Sequence, residues 1–207
     1  IELIRRLSPD SLSIMEFKSS LDVAIAEKML QFPLLGEKIP DKWNLRLTRE
    51  FDMTNDSYLF KQEPAPGRLP LYEGKMIHQF THQWGEPRYW VDEQEARKAL
   101  LGKNKTDNDQ KLDYQGYRLG FRDIARNTDI RTMISTVIPC SILAGNTLII
   151  SQQFTNLAEL IFITSVLNSF VCDSIIRQKV TAHCNMFYVY QLPIPRLSSG
   201  DKYFDEI

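Results

Sequence analysis

The sequence has few residues of the kinds that build covalent frameworks, metal centres or phosphate-binding loops. Its 207 residues include 3 cysteines, 3 histidines and 9 glycines. The cysteines, Cys140, Cys172 and Cys184, form no Cys-x-x-Cys pair and cannot all pair with one another. This usage argues against a disulfide-stabilised secreted domain and predicts a reducing, cytoplasmic location.

Excess charge and long hydrophobic runs are also missing. The 25 Lys and Arg residues balance 26 Asp and Glu, which excludes a uniformly basic coat protein but leaves room for a local basic patch. The longest apolar stretch, Leu157 to Leu167, contains Glu159 and is too short to span a bilayer, so no membrane partner is expected. The chain starts at Ile1 in the middle of a pattern, and we interpret it as part of a larger protein.

Two sets of residues resemble metal-binding motifs, but the local structure predicted for each does not bring its ligands together. Asp10, Glu16 and Lys18 imitate a metal-dependent nuclease signature, but Glu16 and Lys18 fall on a predicted helix, where two positions are roughly 200° apart. His78 and His82 lie in a segment that looks extended and has no companion ligand. The sequence therefore predicts no metal site.

Other catalytic arrangements are no better supported. Cys140 and Cys172 lie in apolar surroundings and are interpreted as small core residues rather than as thiol nucleophiles acting with His183. The chain has no Gly-rich phosphate loop and no serine nucleophile elbow. We predict no catalytic residue and no cofactor within this chain.

Hydrophobic periodicity predicts an α+β fold in three segments. Residues 1–60 are predicted to form a helical connector, which contains a helix that starts near Ser8 and stops at Pro33. The stretch Glu63 to Gly67 marks a linker, and residues 61–195 are predicted as a domain of mostly antiparallel strands. Residues 196–207 are predicted as a surface tail.

Within residues 61–195 the pattern alternates between strands and helices. A short polar helix is predicted at Asp92 to Leu101, and a long apolar helix, Thr155 to Lys179, is predicted to pack on the sheet. The predicted extended segments are Leu69 to Phe80, Tyr117 to Ile124, Thr132 to Ile138, Asn146 to Ile150 and Phe187 to Leu192.

Four arginines within 14 residues form the most informative cluster: Arg118, Arg122, Arg126 and Arg131. Asn127-Thr128-Asp129 reads as the turn of a hairpin that presents them. Guanidinium groups suit phosphates and guanine edges, and an Asn amide suits adenine. We expect Arg118 and Arg122 to hold phosphate, and Arg126, Asn127 and Arg131 to reach the major groove. The alternatives are surface ion pairs, or a protein-interaction module that binds acidic partners.

Three blocks of the chain resemble a known family. Leu69 to Phe80 reads LPLYEGKMIHQF, and a second block runs from Tyr117 to Ala125 and on through Arg131 to Pro139. A third block runs from Leu167 to the Leu192-Pro193-Ile194-Pro195 exit. Together they resemble the C-terminal target recognition domain of type IIG-like restriction-modification adenine DNA methyltransferases. The ending is also similar to target recognition domains of type I specificity subunits.

The resemblance implies a function in reading double-stranded DNA. It implies an adenine-N6 methyltransferase that uses S-adenosylmethionine, but the Asn/Asp-Pro-Pro-Tyr/Phe motif and the cofactor-binding glycine motif do not occur here. The catalytic domain and its S-adenosylmethionine would then lie outside this chain, and the partners would be duplex DNA and the parent's own methyltransferase domain. The expected DNA-contacting residues are Lys75, His78, Arg88, Arg118, Arg122, Arg126, Asn127 and Arg131.

Overall fold

The computed structural model describes residues 5–6, 17, 19–102 and 105–206. Helix α1, Ser20–Met29, begins where the Ser19 side chain accepts a hydrogen bond from the Asp22 amide and the Asp22 carboxylate accepts one from the Ser19 amide. The predicted helix start near Ser8 lies outside the described residues, as do Asp10, Glu16 and Lys18 of the nuclease-like motif.

Eight strands in the described residues form two four-stranded sheets. The first sheet has the order β1-β8-β5-β6 and is antiparallel throughout. The second has the order β2-β4-β3-β7, in which β3 and β7 run parallel. The strands are β1 (Leu47–Thr48), β2 (Phe60–Lys61), β3 (Arg68–Tyr72), β4 (Tyr89–Asp92), β5 (Arg118–Arg122), β6 (Ser135–Ile138), β7 (Leu143–Ala144) and β8 (Leu148–Ser151). The fold class is α+β, as predicted.

The core lies in layers on both faces of the first sheet. Leu119 and Phe121 point into the largest cluster, which they share with residues of the helices. The opposite face of β5 is covered by a second cluster that contains Tyr72 and Met76, and a Cβ on Gly120 would lie 2.5 Å from the Ile138 side chain there. The predicted alternation along β5 is therefore correct, but both of its faces are buried.

Three further helices follow the predicted pattern in part. Helix α2, Glu93–Leu101, matches the predicted short polar helix, and the Asp92 side chain caps it. The predicted long apolar helix is two helices, α3 (Leu157–Leu167) and α4 (Phe170–Arg177), bent by 58°. In the described part of the chain no single helix is long and apolar enough to cross a membrane, and only this bent pair taken together meets that test.

Two extended predictions are wrong. The segment Phe187 to Leu192 is not a strand, because Asn185 accepts a hydrogen bond from the Tyr188 amide and starts helix α5, Met186–Tyr190. The segment Leu69 to Phe80 is extended only as far as the end of β3, and a 3₁₀ turn, Gly74–Met76, then redirects the chain.

The predicted three-segment division does not match the packing. Strand β1 pairs with β8, and Ala26 and Leu35 belong to the same core cluster as Leu119. The tail is not confined to the surface either, because Phe204 is buried in that cluster and the Arg196 guanidinium donates to the carbonyl of Leu35. Residues on both sides of the predicted boundaries therefore share one core.

Candidate nucleic-acid interface

Arg118 is fully buried beneath the second sheet. Its side chain is 0% exposed, and Nη1 lies 2.7 Å from Oε1 of the buried Glu50. Its Nη2 donates to the carbonyl of Ile142. The prediction that Arg118 holds phosphate is wrong, because the strand face expected to meet solvent is covered.

Arg122 links two of the sequence blocks internally. Its Nε donates to the Ile77 carbonyl at 3.0 Å, and Nη2 donates to the same oxygen. The adjacent His78 ring lies 4.5 Å from the Trp84 ring, centroid to centroid. Burial, together with the nearby Arg122 charge, lowers the pKa of His78. Arg122 therefore positions the segment that carries His78. This internal role differs from the phosphate contact that the sequence analysis expects of Arg122.

Arg131 is likewise occupied inside the protein. Its Nη2 donates to the carbonyls of Asn168 and Ser169 at the C-terminal end of α3, where a cation is favoured. Its guanidinium lies 4.5 Å from the centre of the Phe170 ring, and its side chain is only 12% exposed. The expectation that Arg131 reads bases therefore conflicts with its position, and the residue joins the β5–β6 loop to the α3–α4 bend.

The loop between β5 and β6 is held by two side chains of α4. Arg177 donates to the carbonyls of Asn127, Asp129 and Ile130, and it pairs with Asp173 at 2.9 Å. The buried Asp173 carboxylate accepts from the amides of Thr132 and Met133. The predicted hairpin connection is confirmed, since β5 and β6 pair in antiparallel fashion on either side of this loop.

Arg126 and Asn127 remain available at the tip of this loop. Both are exposed, and among the described residues neither side chain is bound to a partner. The loop backbone is fixed from behind by α4, so these side chains project from a rigid support. Of the four clustered arginines, Arg126 is the one that faces solvent freely.

Lys75 and Arg88 form a smaller basic pair around one carboxylate. Arg88 makes a bidentate contact with Glu73, at 2.9 and 3.0 Å, and Lys75 lies 3.5 Å from the same group. Both side chains are more than half exposed. With Glu73 they retain a net charge of about +1, and because both side chains are exposed their predicted DNA contacts are sterically open.

A tight turn from the first sequence block lies beside the loop. The backbones of His78 and Thr81 exchange two hydrogen bonds, at 2.9 and 3.1 Å. The Gln79 side-chain amide lies 3.4 Å from both oxygens of Asn168, the residue that also accepts from Arg131. We call the exposed part of the 124–131 loop together with the 78–81 turn the loop–turn face.

Comparison with known proteins finds similarity only to solved structures, at low sequence identity. No protein-family model and no curated protein matches the chain. A structure of a type I R-M system, described for its complex assembly and conformational transition, is 18% identical with a TM-score of 0.41, over 86% of this chain and 39% of that one. The HsdS subunit from Thermoanaerobacter tengcongensis is 18% identical with a TM-score of 0.34, over 85% and 38%. The chain thus spans about two fifths of the length of each.

The sequence pointed to the arginines but missed the residues that position them. Between Thr132 and Cys172 the single charged residue is Glu159, and Asp173 and Arg177 are the first acidic and basic residues after that stretch. Charged residues that follow such an apolar stretch could have been identified from the sequence as candidates for a positioning role. Another missed pair is His183 and Asp123, whose side chains lie 2.9 Å apart beside the same loop. No group of three metal-ligating side chains occurs in the described ranges.

The cysteines do not form a nucleophilic site. Cys172 and Cys184 are buried, and burial raises the pKa of both thiols, that of Cys172 to about 11. A thiol with such a pKa stays protonated at neutral pH and is a poor nucleophile. Cys140 is exposed, which corrects its interpretation as a core residue.

Proposed function

We propose that this chain is the sequence-specific DNA recognition module of a restriction-modification adenine-N6 methyltransferase. The type IIG-like class is part of the proposal and comes from the three sequence blocks. The methyltransferase domain, with its S-adenosylmethionine, lies outside this chain and is a partner of it.

One observation carries the proposal. The β5–β6 loop is fixed by α4, and at the adjacent residues Arg126 and Asn127 it presents a guanidinium and an amide that bind no partner within the described part of the chain. Arg pairs in bidentate fashion with guanine O6 and N7, and Asn pairs with adenine N6 and N7. A rigid support limits the entropy lost when such groups bind an edge of a base pair.

The three resembling blocks also meet, at Asn168 in the α3–α4 bend. Gln79 of the first block and Arg131 of the second both contact Asn168 of the third. Contacts of this kind support a common role for the blocks, because they join segments that are distant along the chain. Lys75 and Arg88 supply charge that suits phosphates.

The test is a selection from a pool of random DNA duplexes by the 207-residue chain, followed by sequencing. We expect one enriched motif that contains an adenine at a fixed position. Arg126→Ala should then lower affinity for the enriched duplex by about 1–3 kcal/mol, with little change on scrambled duplex. Arg46→Ala is the matched control, an exposed arginine next to the opposite edge strand β1.

Each result bears on a different part of the proposal. Equal losses on enriched and scrambled duplex for Arg126→Ala would contradict base reading by that residue. Enrichment of a motif without adenine would contradict the adenine-directed part. Equal competition by heparin and by enriched duplex would favour the module that binds acidic partners.

A further inference from the structure

The 78–81 turn holds an aromatic residue in a conformation that side chains avoid. Phe80 has φ of 63°, in the left-handed region, where a bulky residue is an outlier. Glycine adopts this conformation without steric penalty, so a phenylalanine here introduces backbone strain. Strain that persists at an exposed position calls for a functional reason.

Several contacts hold the turn in place. The Phe80 amide donates to the Ser135 carbonyl at 3.1 Å, and the Gln79 side chain reaches Asn168. Arg122 binds the Ile77 carbonyl immediately before the turn. The turn is therefore anchored to β6, to the α3–α4 bend and to β5, and these contacts maintain the strained conformation.

The Phe80 ring is mostly exposed, so its burial offsets little of the backbone strain. Phe80 is 65% exposed and borders a shallow cleft of about 290 Å³ between β6 and α3. Most of the stabilisation that full burial of a phenylalanine side chain would supply is therefore absent here. Folding alone does not account for an aromatic ring at this position.

We propose that Phe80 inserts its ring between stacked bases of the bound duplex. This inference rests on the proposed function and adds a residue that deforms DNA to the residues that read it. Apolar side chains inserted at a base step unstack it and kink the duplex. Gln79 and Arg131 share Asn168, so the turn and the loop that carries Arg126 are both anchored at the α3–α4 bend. Unstacking at this place lowers the work of extruding an adjacent base.

The test uses the 207-residue chain and its enriched duplex, with 2-aminopurine placed at one position at a time. We expect a several-fold rise in 2-aminopurine fluorescence at one step when the wild-type chain binds. Phe80→Gly should abolish this rise, whereas Phe80→Leu, which keeps an apolar wedge, should retain part of it. Phe80→Gly should also raise Tm by about 2–4 °C, because it removes the strain.

Tyr203→Gly is the matched control. Tyr203 is also an exposed aromatic residue with positive φ, of 72°, but it lies in the tail. We expect Tyr203→Gly to raise Tm in the same way and to leave the fluorescence rise unchanged. A loss of fluorescence in both glycine variants would overturn the assignment to Phe80.

The outcomes separate this inference from the proposed function. A Phe80→Gly variant that binds the enriched duplex with an unchanged fluorescence rise overturns the inference alone. A Phe80→Gly variant with a lower Tm shows that the ring serves folding, and it also overturns the inference. A wild-type chain that enriches no motif overturns the proposed function, and the inference fails with it.

Discussion

At the residue scale, Arg118 shows how a neighbouring sheet changes the role of one side chain. Its guanidinium and the Glu50 carboxylate are 0% and 5% exposed, and Glu50 also accepts from the Ala144 amide. Burial raises the pKa of Glu50, and the Arg118 charge opposes that rise. A buried pair of this kind contributes little net stability while intact, but each partner becomes costly if the other is removed.

Arg118→Ala should therefore lower the free energy of unfolding by about 3–5 kcal/mol, since it leaves the Glu50 carboxylate buried and unpaired. The double variant Arg118→Leu with Glu50→Gln should lose less, because neither charge remains and Gln can still accept from the Ala144 amide. Urea denaturation of both variants measures the difference. Unchanged stability of the Arg118→Ala chain, together with a weaker salt dependence of its DNA binding, would contradict burial of Arg118. It would support the exposed phosphate contact that the sequence predicts.

At the element scale, the α3–α4 bend organises the loop–turn face. Asn168 closes α3, and its side chain exchanges hydrogen bonds with the backbone of Ser135 in β6. Ser169 then caps α4, which carries Asp173 and Arg177 to the loop. In a straight helix the Asn168 carbonyl would accept from the amide four residues on, whereas at this bend it accepts from Arg131.

Arg177→Ala should loosen the 126–131 loop without unfolding the protein. The substitution removes three hydrogen bonds to loop carbonyls from a side chain that is 28% exposed. Hydrogen exchange measured by mass spectrometry should show faster exchange confined to this loop, with weaker binding of the enriched duplex.

Arg97→Ala is the control for this prediction, because Arg97 holds a different loop through Asp107 and the Gln110 carbonyl. We expect its faster exchange near residues 107–110 and unchanged DNA binding. Loss of protection throughout the Arg177→Ala chain would contradict a local role for Arg177.

At the scale of the whole molecule, the N-terminal segment and the tail belong to the same core as the first sheet. Trp43 is buried, donates to the Leu197 carbonyl at 2.7 Å and lies 4.9 Å from the Arg196 guanidinium. Arg196 donates to the carbonyls of Leu34 and Leu35. These contacts connect residues 34–43 directly to residues 196–197.

A chain that starts at residue 61 should therefore fail to fold cooperatively. It lacks β1, the edge strand paired with β8, and it exposes the part of the core that Leu35 and Trp43 cover. Thermal unfolding followed by circular dichroism tests this expectation. A sharp transition at the Tm of the full chain would instead support a domain boundary near residue 60.

Much of the local structure follows from the sequence alone. The Asp92 cap, the β5–β6 hairpin and the apolar alternation of Leu119 and Phe121 depend on hydrogen bonds and periodicities that a short window contains. The exposure of Arg126 and Asn127 at a turn is predictable for the same reason. The DNA-contacting roles of Lys75, His78 and Arg88 remain predictions.

What lies against each face was decided by tertiary structure. Alternation along a strand shows that it has two faces, but it carries no information about which partner covers either face. The second cluster covers the Arg118 face, the Ile77 carbonyl binds Arg122 and the α3–α4 bend binds Arg131. Three arginines of one sequence cluster therefore make internal contacts, while Arg126 is exposed. Which arginines make internal contacts depends on residues that are far apart in the chain. A local sequence pattern does not contain that information.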